Sequence, residues 1–397
     1  MRKPEMILFL AVALGIYGLI NLYVFHRGWQ ALEGFPRVRL VFAVLLGFLI
    51  LSFPASRFLA SASDNHGRFA GPAIWIGSLY LALMLYLLLL TAAADLVRLL
   101  NSFLGFFPGV VTGQPQKAGF FTAVGIFGAA LLIVIAGYLN SLNPRSRILE
   151  VRIGKAAGPR KGLNIVMASD IHLGIIIGSA RLEKLVRQIN HLHPDLVCLP
   201  GDIVDESVYP AEEERMIATL KKIRAPLGVF SVPGNHEYFS GLEKNVEYLR
   251  RGGVRVLQDE VVEVDKSFYL GGRKDPTVLR RGEGRLPTKV ILEEGRVDLS
   301  RPVILLDHQP LNLSEAEGAG IDLQLSGHTH AGQLFPLNLV NKAVYEKNWG
   351  YHRRGRTQFY ISCGAGTWGP PVRTGSIPEI VLIKITFEPP PPAERVQ

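Results

Sequence analysis

Four long apolar runs open the chain, and an alternation of strand-like and helix-like segments follows them. Met6–Phe25 runs twenty residues without a charge, Leu40–Ser56 seventeen with Pro54 inside, Phe69–Ala94 twenty-six and Ala118–Leu139 twenty-two. Crossing a hydrocarbon core takes about 20 apolar residues, so the pattern predicts four spanning helices over 6–25, 40–56, 69–94 and 118–139. The first run is too long for a signal-peptide core, lacks a small-residue cleavage site and precedes further spans, so it reads as an anchor. None of the four contains an Asp, Glu, Lys, Arg or His, which argues against a proton relay or ion pathway. Between the last two, Asp95–Lys117 holds LVRLLNSFLGFF, a short helix either of the membrane interface or of the bundle.

From about Arg147 the period changes. LNIVMAS (163–169), Asp195–Leu199, Leu227–Val232, Val303–Leu306 and Leu323–Leu325 are short β-rich apolar runs. Arg181–Leu192, Glu212–Ile223 and Leu242–Arg251 repeat apolar residues at helical spacing. Strand–helix–strand alternation implies βαβ units and a largely parallel sheet. Gln358–Ser362 and Glu379–Thr386 read as the strands of a β hairpin. This divides the chain into a membrane region (1–144), an α/β domain (145–388) and a proline-rich tail (389–397) without expected order.

Charge sharpens the division. The chain has a net charge of +9 and is 48% hydrophobic and 19% charged, below the roughly 25% charged residues of soluble domains. Residues 1–149 hold four acids against eleven bases, and the rest holds thirty against thirty-two. The basicity belongs to the apolar part, which excludes a nucleic-acid partner as its explanation and fits basic membrane-flanking loops. Counting those loops gives eight bases on the side of both termini and five on the other. That small excess points to a multi-pass protein of the cell (inner) membrane with a cytoplasmic α/β domain. Two cysteines, Cys198 and Cys363, make neither a disulfide framework nor a zinc finger.

Each apolar strand ends in a polar cluster. LNIVMAS leads to Asp170 and His172; DLVCLP to Gly201, Asp202 and, three residues on, Asp205. GVFSVP leads to Gly234, Asn235, His236 and Glu237; PVILL to Asp307 and His308; DLQLS to Gly327, His328 and His330. Functional loops of open α/β sheets lie at the carboxyl ends of strands. One such cluster is an ordinary turn; five in order place carboxylates and imidazoles on one rim. Mixed imidazole and carboxylate donors suit zinc, iron or manganese, and a bridged pair of such ions suits phosphoryl chemistry. Glycines 201, 234 and 327 let the backbone turn beside the rim.

These motifs resemble the calcineurin-like metallophosphoesterase superfamily across roughly residues 160–386. Behind the N-terminal four-helix transmembrane region read from the apolar runs, the resemblance implies an α/β metallophosphoesterase domain of two packed mixed β-sheets flanked by helices (α/β/β/α). It implies two divalent metal ions (Mn, Zn or Fe), one held by Asp170, His172, Asp202 and His330. The other would be held by Asp202, Asn235, His308 and His328, with Asp202 bridging. His236 would assist the leaving oxygen, oriented by Asp205 or Glu237. Gly272-Arg273-x-Asp275, His308-Gln309-Pro310, Gly332-Gln333 and Gly364-Ala365-Gly366-Thr367 look like the YkuE-like, membrane-anchored branch. Arg273, Gln333 and Arg373 are candidates for contacts to substrate phosphates, and the basic segment Arg273–Arg285 for lipid headgroups.

The function so implied is hydrolysis of a phosphoester or pyrophosphate by in-line attack of a hydroxide bridging the metals. A tethered enzyme suits a lipid-linked substrate, and UDP-2,3-diacylglucosamine of the lipid A pathway is one. The alternatives are a phosphatase of soluble phosphoesters or phosphoproteins whose anchor serves location only, and a transporter or sensor with a regulatory metal-binding domain. Substrate and membrane lipids are the expected partners; the oligomeric state is left open.

Overall fold

The computed structural model describes residues 3–62, 70–205, 208 and 210–388. The proline-rich tail lies outside them, as do Arg2 and Arg68 of the loop charges. The chain forms two compact units: Met1–Leu139 with Gly369–Thr374, and Asn140–Trp368 with Gly375–Gln397.

The first unit is helical: α1 (Lys3–Ala31), α2 (Pro36–Ala62), α3 (Ala70–Leu104), the single-turn α4 (Gly109–Thr112) and α5 (Pro115–Ser141). All but α4 hold a stretch long and apolar enough to cross a membrane. Leu19, Leu51 and Leu132 are exposed, as suits side chains whose solvent is lipid. The segment after the third span differs from the expected separate helix. No glycine or proline interrupts Thr91–Leu104, so α3 continues until Gly105 turns left-handed at φ +64°. Inside this extension Asp95 accepts from Tyr23 Oη at 2.6 Å and Arg27 Nε at 2.7 Å, tying α3 to α1. The returning segment joins α5 through Arg373 N–H to Gly137 O at 2.9 Å.

The second unit runs β1 (Arg145–Ile153), β2 (Gly162–Met167), α6 (Ser179–His191), β3 (Leu196–Pro200), α7 (Pro210–Leu220) and β4 (Val229–Val232). Then come α8 (Asn235–Ser240), α9 (Leu242–Arg251), β5 (Arg255–Val256), β6 (Glu260–Val264), β7 (Phe268–Gly272) and α10 (Thr277–Arg280). It closes with α11 (Thr288–Glu294), β8 (Val303–Leu306), α12 (Leu313–Ala319), β9 (Leu323–Ser326), α13 (Leu337–Val344), β10 (Gly350–Arg354), β11 (Thr357–Ile361) and β12 (Glu379–Phe387).

Two six-stranded mixed sheets result, β1-β12-β2-β3-β4-β5 and β10-β11-β9-β8-β7-β6. Side chains of a strand alternate between faces. Ile165 and Met167 of β2 meet Leu270, Ile304 and Leu325 of the other sheet in the central core. Val166 and Ala168 face the other way, onto Leu182, Val186 and Ile217 of α6 and α7. The second sheet buries Val303, Leu305 and Phe359 with Leu292 of α11 and Leu313 of α12. The α/β/β/α layering is thus fixed by strands that are apolar on both faces.

The expected hairpin of the last two strands does not form. β11 lies in the second sheet beside β9, while β12 inserts into the first, parallel to β1 and antiparallel to β2. Both strands are buried almost throughout, so neither shows the alternation that would betray a half-exposed hairpin. Glu379, at the head of β12, ties the sheets together. Its Oε1 accepts from Tyr360 Oη of β11 at 3.2 Å, Trp349 Nε1 at 3.1 Å and Cys363 N–H at 3.2 Å. Its Oε2 pairs with Arg147 of β1 at 2.7 Å. Removing a buried charge partner typically costs about 3–5 kcal/mol. Glu379→Ala should therefore lower the unfolding free energy by about 3 kcal/mol, read by denaturant melts of the detergent-solubilised chain; an unchanged midpoint would contradict the tie.

Candidate active site

Strands β2, β3 and β4 are adjacent and parallel, as are β8 and β9 in the other sheet. Their carboxyl ends carry Asp170, His172, Asp202, Asn235, His308, His328 and His330, so both sheets contribute to one rim. Five of these seven residues hold left-handed backbone: Asp170 (φ 51°), His172 (55°), Asp202 (53°), His328 (71°) and His330 (48°). Non-glycine residues avoid this region, at about 1–3 kcal/mol each. Such concentration marks a place where side-chain direction outranks backbone comfort.

The neighbouring glycines make room for the side chains. Gly201 has φ +82°, and a Cβ there would fall 2.5 Å from His308 Nδ1. Gly234 is extended, with no turn to make. Its function is spatial, because a Cβ would lie 2.2 Å from Asp202 Oδ1. The Cβ position of Gly327 falls 2.3 Å from Asp170 Oδ2.

Two clusters meet at Asp202. In the first, Asp170, His172 and His330 bring ligand atoms within 4.8 Å of one another. The ring nitrogens His172 Nε2 and His330 Nε2 face each other at 3.0 Å, and buried Asp170 Oδ2 has no hydrogen-bond partner. In the second, Asp202, His308 and His328 converge within the same limit. Asn235 Oδ1 lies 3.3 Å from His308 Nε2 and 2.9 Å from His328 Nδ1. Asp202 Oδ2 sits between the clusters, 3.9 Å from His172 Nε2 and 3.2 Å from His308 Nε2. Converging ring nitrogens and an orphaned carboxylate oxygen are an arrangement that divalent cations complete, so the residues fit the metals implied by the donor set.

Burial and mutual charge set the titration states of these groups. Burial lowers His172 to about 4 and His328 to about 3, leaving both imidazoles neutral. Burial raises Asp170 to about 6. Burial also opposes the charge on His308, but the charge of Asp202 and its hydrogen bond outweigh it and hold His308 well above the ordinary histidine range. In reciprocal fashion His308 holds Asp202 well below the usual carboxylate range against the cost of burial.

His236 stands beside this pair on α8. Its Nδ1 meets Asp205 Oδ1 at 2.5 Å, and its backbone N–H donates to Asp202 Oδ1 at 2.9 Å. Burial disfavours its charged form, but the Asp205 bond and the charge of Asp202 prevail and raise it to about 9. Asp205 is therefore the residue that orients His236. Glu237, the other candidate, does something else. Its carboxylate accepts the N–H groups of Asp202, Ile203, Val204 and Gly234 at 2.7–3.1 Å, bracing the loop that carries Asp202.

The residues expected to contact phosphate have partners or burial within the protein. Arg273 is buried and pairs with Asp307 at 3.1 Å and Glu315 at 2.8 Å. Arg285 reaches the same Asp307 at 2.7 Å. The segment read as a headgroup contact thus turns its two ends inward, leaving Arg280 and Arg281 exposed. Asp275 of the same motif accepts Gln309 Nε2 at 3.0 Å, so both residues flanking His308 are held by this segment. Gln333 bonds both backbone groups of Trp368, at 2.8 and 3.0 Å. Arg373 is buried and belongs to the segment returning to the helical unit. The loop Gly364–Thr367 backs the first cluster, with Ala365 N–H to Ser169 O at 2.9 Å and Gly366 N–H to Asp170 O at 2.8 Å.

Three aromatic residues at the rim escaped sequence reading. Exposed Phe239 and Trp368 lie 5.8 and 6.2 Å from the His236 ring, and Tyr345 lies 6.2 Å from that of His328. No motif marks the first two; only the adjacency of Phe239 to the His236-Glu237 cluster hints at one.

Residues 163–332 match the calcineurin-like phosphoesterase family. A metallophosphoesterase of Aquifex aeolicus is 36% identical over 225 residues, 56% of this chain and 85% of its own. A transmembrane protein with metallophosphoesterase domain from Bos taurus is 32% identical over 292 residues, 70% of this chain and 65% of its own. The metallophosphoesterase YkuE of Bacillus subtilis is 28% identical over 289 residues, 66% of this chain and 95% of its own. The chain belongs to the calcineurin-like metallophosphoesterases and is a phosphoester hydrolase.

Two substitutions separate the bracing roles. Asp205→Asn should lower the His236 pKa from about 9 toward the ordinary value, because it removes a charge that favours the imidazolium; NMR titration of the metal-free chain reads the shift. Glu237→Gln replaces an acceptor with a donor among four N–H groups and should destabilise the unit by about 2 kcal/mol, read by thermal unfolding.

Proposed function

We propose that the chain is a membrane-anchored hydrolase that uses two divalent metal ions to cleave a phosphoester or pyrophosphate carried by a lipid. The observation that carries the metal-dependent part is the place of Asp202 Oδ2, shared between an imidazole of each cluster. Asp170, His172, Asp202 and His330 would hold one ion, and Asp202, Asn235, His308 and His328 the other. When bound, such ions supply an activated water and a positive clamp on phosphate oxygens. The chain's own contribution is to direct the donors from two sheets and to keep His172 and His328 unprotonated. His236 presents a protonated imidazole to the departing oxygen, while Asp205 fixes its ring through Nδ1. The lipid-linked part is supported by the four apolar helices of the same chain and by exposed Phe239 and Trp368 beside His236. UDP-2,3-diacylglucosamine combines a pyrophosphate with acyl chains and is the first substrate to try.

The test is a substrate panel on purified full-length chain of measured metal content. Metal-dependent release of UMP from the lipid–nucleotide supports the proposal in full. Turnover of small phosphodiesters without it retires the lipid-linked part, and no turnover with Mn, Zn or Fe retires the whole. Asp202→Asn should lose metal and activity together. His236→Asn should keep its metals and lose about 10²–10⁴-fold in rate.

Metal binding should release protons. His308 keeps its proton at neutral pH, because Asp202 raises its pKa, and an ion must displace that proton. Apparent affinity should rise with pH through the neutral range. Calorimetry in buffers of different ionisation enthalpy checks this; a pH-independent affinity would contradict it.

A further inference from the structure

Helix α13 has its polarity inverted relative to an ordinary surface helix. A helix of a globular protein turns its apolar stripe to the core and its polar face to water. None of the eight residues of Leu337–Val344 is buried. Leu339, Val340 and Val344 are each more than half exposed, and Leu337 and the preceding Phe335 are exposed with them. The inward edge is the polar one. Asn341 Nδ2 donates to Thr329 O at 3.1 Å, and Asn338 packs so tightly on Gly332 that a methyl there would come 2.3 Å from its Cα. By helical spacing the apolar residues occupy one broad arc and Asn338, Asn341 and Lys342 the other. Partly exposed Trp349 and Tyr351 follow, with the indole N–H of Trp349 satisfied inside by Glu379. An apolar arc rimmed by a lysine and amphipathic aromatic residues is the composition of an interfacial helix.

We infer that α13 lies in the surface of the bilayer that the chain's own helices cross, with Phe335, Leu339, Val340 and Val344 among the acyl chains. The occupant follows from the tether. A bilayer is the one apolar partner this chain carries with it, through α1, α2, α3 and α5. The contact reaches the catalytic rim. Thr329, between His328 and His330, accepts from Asn341 of α13 and donates its hydroxyl to Asn348 O at 2.6 Å. A helix seated in lipid would steady the loop bearing two metal-site histidines. None of this rests on the proposed substrate.

The test uses the full-length chain in nanodiscs of phosphatidylethanolamine and phosphatidylglycerol, one copy per disc. Cys198 and Cys363 are buried, so Val340→Cys can be labelled selectively with an environment-sensitive fluorophore. Lys289→Cys, on a well-exposed lysine of α11, is the control. Lipids with a nitroxide high on the acyl chain should quench the label at 340 several-fold more than at 289. Adding Leu339→Gln and Val344→Gln should abolish the difference, showing that the helix and not the dye seeks lipid. Equal quenching at the two positions would overturn the inference. Protection of position 340 only in discs holding two copies would overturn it in favour of a face between copies.

Discussion

One carboxylate governs the construction of the catalytic unit. Asp202 must lie, buried and charged, at the junction of two sheets, within reach of imidazoles from both. An isolated charge there would be prohibitive, so everything near it compensates. Glu237 fixes its backbone, His236 donates to its inner oxygen, and His308 holds a proton against it. Gly234 cannot carry a side chain because that oxygen occupies the space. The left-handed turns at five of the candidate ligands are a cost of the same convergence.

The second sheet supplies its histidines under a different constraint. His308 sits between Asp307, clasped by Arg273 and Arg285, and Gln309, bonded to Asp275. A basic segment that suggests a surface thus becomes the interior brace of a candidate metal ligand. A buried pair of arginines on one aspartate contributes little net stability by itself, since desolvation offsets attraction. What it fixes is direction.

What could be read from the sequence follows from what burial does to it. β2, β3, β4, β8 and β9 are buried over most of their length and appear as short, largely apolar runs ending at their functional residues. The seven candidate metal ligands stand at those ends, and that position is what marks them in the sequence. β1 was not legible, because RSRILEVRI at a sheet edge is half exposed and interleaved with charge. Partnership was least legible. A sequence presents Arg273 and Arg373 as free guanidiniums, and only the folded chain brings Asp307 to the first or carries the second into the helical unit. α13 was not singled out at all: LNLVNKAV mixes five apolar residues with two asparagines and a lysine, and only the folded chain shows its apolar arc unburied.

The placement of β12 also bears on biogenesis. β1 follows the last membrane-spanning helix directly, and its neighbour in the sheet is β12, which in turn separates it from β2. The strand nearest the anchor must therefore wait, through synthesis of the whole hydrolase unit, for the strand made last. Contacts of such sequence separation form slowly. The helices can take up residence in the bilayer while the domain behind them is still open, so the anchor comes before the enzyme in time as well as in sequence.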